Sequence, residues 1–311
     1  MVAQDPVARP YQHYIWQQYL SAWADGKYVQ CLVGDRIFQT TTQNLGVEYD
    51  FYKLPEVTDE DLSLITFLTG LDKAHPVARH HHEGLLVDVL GPLIFAKECP
   101  DALDNPEVAK LIEVHRTNAI DDRHTALERS FLPLLPKCLE GDISWFQDTA
   151  NAIAFCSYVG AQHMRTRAVK AKNIKRLKDR MNLDISRVWD LMALIFGFNY
   201  GCSIFFDRAN RPLVLVHNET LTPFITSDQP VVNLEGDGEN APDSLSIYYP
   251  ISPRLALFIG EPGKPQLPKH GLTDEQAATL NLRIERRSHL QVYAQTADAL
   301  EVFRASRRAG Q

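Results

Sequence analysis

Most of the features that assign a chain at a glance are missing from this one. Its 311 residues contain five cysteines, Cys31, Cys99, Cys138, Cys156 and Cys202, an odd number with no CxxC spacing. Each stands alone in apolar surroundings, as expected of buried free thiols in a reducing cytoplasm rather than of a disulfide framework or a zinc cluster. The opening MVAQDPVARP is polar and has no apolar run of the kind a secretory leader needs. The most apolar stretch, Leu191 to Phe206, is about a quarter shorter than a bilayer span and is interrupted by Asn199, Gly197 and Gly201. It reads as a core helix running into a core strand. A cytoplasmic protein without membrane association is expected.

Signature loops are absent too. There is no Walker phosphate loop, no GxGxxG turn, no GxSxG elbow, no kinase set and no HExxH helix. Nucleotide cofactors, serine-hydrolase chemistry and structural zinc are therefore disfavoured. No internal repeat or low-complexity linker divides the chain.

What is present is an ordinary globular composition, 45% hydrophobic and 23% charged, enough for a large core. The net charge of −7 speaks against wholesale coating of nucleic acid, but the charge is unevenly placed. Arg165, Arg167, Lys170, Lys172, Lys175, Arg176, Lys178 and Arg180 fall within one short stretch against Asp179 alone. A basic stripe on an acidic chain is the pattern that would track a phosphodiester backbone, although a solvated helix face also produces it. No aromatic residue interleaves the stripe, so base stacking is not supported.

Periodicity separates three regions. After Pro10, QHYIWQQYLSAWA has the spacing of a short helix, and KYVQCLVGDRIFQTTT alternates about Gly34-Asp35 as a hairpin would. From Asp59 the period becomes helical, with Asp59-Glu60-Asp61 placing negative charge at a helix start. Further helices are expected near 83–98, 106–135, 143–170 and 184–198, punctuated by prolines. Beyond Gly197 the segments CSIFFD, PLVLVH, PFITSD, SIYYPI and LALFIG read as strands, with an acidic, glycine-rich loop at 235–243. Thr273 and Gln276 have the spacing of a capping box, opening a helix to about Ser288, and LQVYAQ closes the fold as a strand. The expected fold class is α+β: a central helical bundle packed against a mainly antiparallel sheet built from both ends of the chain. Such a sheet brings the termini together, so a single domain over 1–311 is expected, with 1–55 as N-terminal helix and hairpin, 59–198 helical and 199–304 as sheet.

Several segments together resemble the family catalogued as domain of unknown function 4238. Gln12-His13-Tyr14 through Tyr19-Leu20 is similar to its QHYxPQxYL element, with Trp16 in place of the proline. Asp50-Phe51-Tyr52 resembles its DFY, Gln162-His163-Met164-Arg165-Thr166 its QxxRT, and Phe224 to Val231 its FITSDNPV with Gln229 for asparagine. Tyr249-Pro250-Ile251-Ser252-Pro253 follows in the same order, and Leu280-Asn281 with Arg286 to Tyr293 resembles the closing LNxxIxRxA segment. The resemblance implies a fold pattern and recurring polar positions, and no established chemistry.

Four constellations could carry chemistry. On the 106–135 helix, Thr117, Asp121, His124 and Glu128 share one face. His124 and Glu128, one turn apart, suit metal ligation or a base with its orienting partner, and equally a plain i,i+4 pair. In QHMRT, Gln162 and Arg165 project one turn apart beyond an apolar helix, so Arg165 must meet either an anionic ligand or a buried carboxylate. Asp228 stands at a strand end before Pro230, a position that serves catalysis and Asx turns alike. His13 lies near Trp16 and Tyr19, where a backbone-bonded core-edge histidine is the plainer reading. His80-His81-His82 point in different directions and read as solvated linker.

These residues give two expectations. The first is a metal-assisted hydrolase or nuclease acting on a phosphate-bearing substrate. Glu128, Asp228 and His13 would then be catalytic, and Glu128, Asp228 and His124 would hold Mg²⁺. Gln162, Arg165, Lys172 and Arg176 would bind substrate. The alternative is a non-catalytic binding module whose polar cluster is a buried structural network and whose basic helix docks an acidic partner. Residues 165–180 are where nucleic acid or another phosphate-bearing ligand is expected. A site at the meeting of the helical part and the C-terminal sheet is expected in either case.

Overall fold

A computed structural model describes residues 7–236 and 242–309. The polar opening stretch up to residue 6 and most of the loop expected at 235–243 lie outside the described residues.

In chain order, β1 is Tyr11–His13, α1 Gln17–Leu20, β2 Tyr28–Val33, β3 Arg36–Thr41 and β4 Val47–Tyr49. The helical middle follows as α2 Asp59–Thr69, α3 Pro76–Glu98, α4 Pro106–Phe131, α5 Leu135–Leu139, α6 Thr149–Met164, α7 Arg167–Met181 and α8 Trp189–Phe206. The C-terminal part comprises β5 Leu213–His217, β6 Thr226–Ser227, β7 Val232–Asn233, β8 Ile247–Ser252 and β9 Leu255–Ile259, then α9 Asp274–Arg287, β10 Gln291–Ala294 and α10 Ala297–Ala309. The fold is α+β, with helices between antiparallel sheets drawn from both ends of the chain.

Local chemistry sets several boundaries. Thr58 and Asp61 form a reciprocal capping box at the start of α2, and Thr273 with Gln276 does the same for α9. Gly34, at φ +59°, makes the two-residue turn that pairs Val33 with Arg36 in the β2–β3 hairpin.

The chain groups into two compact units, each discontinuous in sequence. The first comprises the chain up to residue 13 with 47–126 and 170–196. It pairs β1 with β4 and contains α2, α3 and most of α4. Gln12 is its polar centre. Its amide donates to the Thr117 carbonyl at 2.5 Å and its carbonyl accepts from the Tyr52 N–H at 2.6 Å, all three residues being buried. Lys170 is held in the same unit by Asp190 at 2.7 Å and lies over the Phe51 ring.

The second unit comprises 14–46, 127–169 and the chain from 197 onward. It holds two four-stranded antiparallel sheets, ordered β3-β2-β10-β6 and β5-β9-β8-β7. The first joins the N-terminal hairpin to the penultimate element of the chain, so strands of both ends do share a sheet. Against them lies an aromatic core of Trp16, Tyr19, Phe131, Trp145, Phe155, Tyr158 and Tyr249. The glycines of α6 and α8 touch backbone to backbone. A Cβ on Gly160 would stand 2.1 Å from the Gly197 carbonyl oxygen, and one on Gly201 would stand 2.6 Å from that of Cys156.

That contact explains one departure from expectation. CSIFFD is not a strand but the end of α8, because the glycine face that seats the helix on α6 extends through Gly201 and outweighs the β-branched and aromatic composition beyond it. The helix is long and apolar enough to cross a membrane, yet half of that stretch is buried inside the fold, as suits a core helix.

Other departures are of the same kind. The helix expected over 143–170 is two, broken at Arg165 and Thr166, the hydroxyl of Thr166 being drawn away to the side-chain amide oxygen of Gln229. The N-terminal helix shrinks to α1, since Tyr11–His13 is claimed by β4 as a strand. The single sheet is three, and α10 was not anticipated. His80-His81-His82 is not linker. Pro76 starts α3 about two turns earlier than expected with its fixed φ, and the seven-residue spacing puts His82, Val89 and Ala96 on one buried face. Of the cysteines, Cys31, Cys138 and Cys156 are buried, whereas Cys99 is exposed and Cys202 half-buried.

Candidate functional site

The second unit brings three of the singled-out residues together. Arg165 closes α6 as its C-terminal cap, and its side chain is only 2% exposed. A guanidinium so deeply placed must be paired. One of its nitrogens lies 2.7 Å from the Glu128 carboxylate and 2.5 Å from the Gln162 carbonyl oxygen, which it donates to. The Gln162 amide in turn donates to the Tyr14 carbonyl at 3.0 Å, tying the QHY segment to the QxxRT segment. Beside them Tyr158 and Tyr249 share a hydroxyl hydrogen bond of 2.8 Å, and burial pushes both phenols well above their ordinary range. Glu128 is the outermost member, with 16% of its side chain exposed.

Asp228 is engaged elsewhere in the unit. It is 1% exposed, and its two carboxylate oxygens accept the backbone N–H groups of His289, Leu290 and Gln291 at 2.7, 2.8 and 3.0 Å. Burial raises its carboxyl above the usual carboxylate range, against the lowering effect of those three bonds. The arrangement fixes the turn from α9 into β10. It also leaves Asp228 facing backbone donors rather than a cleft.

The neighbouring residues are bound in the same manner. Ser227 accepts from the Gln229 N–H at 3.1 Å, the Gln229 amide donates to the Val231 carbonyl at 2.7 Å, and His163 meets that carbonyl at 2.9 Å. Tyr19 bonds Thr226 at 2.5 Å and donates to the Pro250 carbonyl at 2.8 Å. Asn281 accepts from the Ile225 N–H at 3.0 Å and donates to the Pro223 carbonyl at 2.9 Å. The motif residues are thus hydrogen-bonded to one another across the second unit.

The model matching this chain over residues 11–298 is that of a family described as "Protein of unknown function (DUF4238)". The chain belongs to the DUF4238 family. No curated protein and no solved structure matches it. Five of the DUF4238 segments singled out in the sequence contribute at least one buried hydrogen-bonded side chain: Gln12 and Tyr19, Gln162 and Arg165, Thr226 to Gln229, Tyr249, and Asn281.

His13, His124, Lys172 and Arg176 belong to the first unit. His13 is half-buried on β1 opposite Val47. His124 is buried, with its ring 4.9 Å from that of Tyr52. Among the described residues, no three His, Cys, Asp or Glu side chains are grouped where they could hold a metal ion. Lys172 is exposed and Arg176 half-buried on α7. Tyr158 is a residue that the sequence did not single out, and Tyr249 stood there only as part of the recurring Tyr249–Pro253 segment; both are buried aromatics whose role depends on meeting across the core. The signal that could have found Tyr158 is only its place just before the recurring Gln162–Thr166 segment.

Proposed function

We propose that this DUF4238 chain is a non-catalytic binding module that docks the phosphodiester backbone of a nucleic acid through α7. The observation that carries this reading is the exposure and charge of that helix. Its fifteen residues include Arg167, Lys170, Lys172, Lys175, Arg176, Lys178 and Arg180 against Asp179, and not one of them is buried. Lys172, Arg176 and Arg180 recur at one-turn intervals along a single ridge, with Lys175 and Lys178 exposed beside it. Lys170 anchors the start of the helix through Asp190, so the ridge is presented by a fixed element. Without aromatic residues in the ridge, the contact is to phosphates and is indifferent to sequence.

The polar cluster supports the non-catalytic half of the proposal. Arg165 is paired with Glu128 and sealed, and Asp228 is saturated by backbone donors. A hydrolase built on those residues would need them turned toward a substrate.

Fluorescence anisotropy with labelled RNA and DNA duplexes tests the proposal. Binding at low salt that falls by at least about tenfold in Lys172→Glu/Arg176→Glu/Arg180→Glu is the expected result. No binding to either duplex, or binding unaffected by the triple change, would overturn it. Incubating the same polymers with Mg²⁺ or Mn²⁺ tests the catalytic reading. Cleavage that disappears in Glu128→Gln and in Asp228→Asn would establish a metal-assisted nuclease instead.

A further inference from the structure

The segment that follows β9 in the second unit is tied to its sheet through titratable side chains. It leaves the sheet at Glu261, which Arg211 holds at 2.7 Å, and is fixed again where Leu272 is buried and Thr273 caps α9. Between these anchors runs a strap bounded by Gly263 and Gly271, both at φ +78°, a conformation other residues rarely adopt. Pro265 and Pro268 stiffen the strap between the two pivots.

The strap's own hydrogen bonds are short-range. The Lys264 N–H donates to the Glu261 carbonyl at 3.1 Å, and the Gln266 amide donates to the carbonyls of Glu261 and Lys264 at 2.9 and 2.8 Å. Lys269 and His270 make the bonds to the sheet. The Lys269 carbonyl accepts the His217 N–H at 2.8 Å, and the His270 ring lies on the His217 ring with centroids 4.4 Å and planes 24° apart. Nδ1 of His270 is 3.0 Å from the Glu219 carboxylate. Glu219 is presented by a fixed turn, since the Asn218 side chain accepts the Thr220 N–H and donates to the Thr222 carbonyl. β5 is the outermost strand of the order β5-β9-β8-β7, so the His217 N–H taken by the strap belongs to a sheet edge.

We propose that His217, His270 and Glu219 form an acid-released latch holding the strap on the edge of β5. With His217 neutral, the rings stack and Glu219 answers a proton on His270. A further proton on His217 sets two cations face to face, with Lys269 beside them and only Glu219 in opposition. Opposite His217 on β9 stands the uncharged Leu255, and Arg254 before it turns its guanidinium to the Asn218 and Thr220 carbonyls. Burial first, then His270 and Lys269, keep His217 below its ordinary 6.5 in the latched form, against the pull of Glu219. The latch is therefore complete above 6.5 and is lost as pH falls from there toward the lower, latched value. Release turns the strap on its glycines and frees the His217 amide, and an open sheet edge is a template for strand addition.

Hydrogen–deuterium exchange of the full chain from about pH 8 to about pH 5, corrected for the intrinsic pH dependence of exchange, tests the latch. Peptides covering 213–217 and 262–271 should lose protection at least about threefold on acidification, while α9 and β8 keep theirs. His217→Phe, whose ring stacks but takes no proton, should stay protected throughout, and His270→Ala should be open at both ends of the range. Protection indifferent to pH, an unchanged pH response in His217→Phe, or His270→Ala as protected as the parent would overturn the proposal. Loss of protection in α9 and β8 together with the strap would do so too, because it would mean unfolding of the whole unit.

Discussion

The guanidinium of Arg165 lies 2.7 Å from the Glu128 carboxylate while showing only 2% of its side chain to solvent. A buried cation stripped of its partner retains the full penalty of its desolvation. Glu128→Ala should therefore lower the unfolding free energy by about 3 kcal/mol in urea titrations. Replacing both partners, Glu128→Leu with Arg165→Met, should recover most of that loss, because the uncompensated charge is then gone. A double variant no more stable than Glu128→Ala would mean that the pair is not the origin of the effect.

Gln12 serves two buried backbone groups at once, the Thr117 carbonyl and the Tyr52 N–H. Gln12→Ala leaves both unsatisfied and should destabilise the protein by about 2 kcal/mol. Gln12→Glu keeps the acceptor for Tyr52 but turns a carboxylate toward the Thr117 carbonyl, so it should be no better tolerated. Thermal denaturation of the two variants side by side checks the point.

The contact of α6 with α8 allows no side chain at Gly160, where a Cβ would stand 2.1 Å from the Gly197 oxygen. Gly160→Ala must push two backbones apart. The expected loss is about 3 kcal/mol, at the upper end for overpacking, read from chemical denaturation. An alanine variant as stable as the parent would show that the helices are less closely seated.

His217 is stacked on His270, with ring centroids 4.4 Å apart. Burial first, then His270 and Lys269, hold its pKa below the ordinary 6.5, while Glu219 pulls the other way. A histidine depressed in the folded state is protonated preferentially in the unfolded chain. Its stabilising contribution is thus complete above 6.5 and is lost as pH falls from there toward the lower folded value. Denaturation midpoints of His217→Asn should accordingly fall less steeply than those of the parent through this window. Parallel pH profiles would refute the assignment.

If α7 tracks phosphates, the logarithm of the association constant must fall linearly with the logarithm of salt concentration. Each of Lys172→Gln, Arg176→Gln and Arg180→Gln should reduce that slope by about one unit and weaken RNA and DNA of any sequence alike. A variant that changes sequence preference while keeping the slope would instead place that residue against a base.

Features readable in the sequence are those whose partners lie a few residues away. Thr273 and Gln276 bond each other's backbone within one turn, and the Gly34-Asp35 hairpin closes on itself, so both stand where they were read. The spacing of Gln162 and Arg165 likewise foretold that an arginine was entering a buried place. What it met there was not legible. The alternatives were an anionic ligand and a buried carboxylate, and Glu128 fills the role from a different helix. Asp228 was equally open between a catalytic position and a turn, and three N–H groups from the far end of the chain resolve its bonding. His82 and the residues after Gly201 were misread because burial and the seat of α8 on α6 arise from segments remote in sequence.

The sequence by itself determined the α+β pattern, the acidic start of α2, the capped start of α9, and the sign of the charge on α7. These follow from short-range hydrogen bonding, periodicity and composition, which are complete within a turn or a strand. Only the tertiary structure decided that Arg165 belongs to Glu128 and Gln162 and that Asp228 belongs to the backbone at 289–291. A buried charge takes the partner that the fold brings within hydrogen-bond reach, and spacing along the chain does not encode that distance.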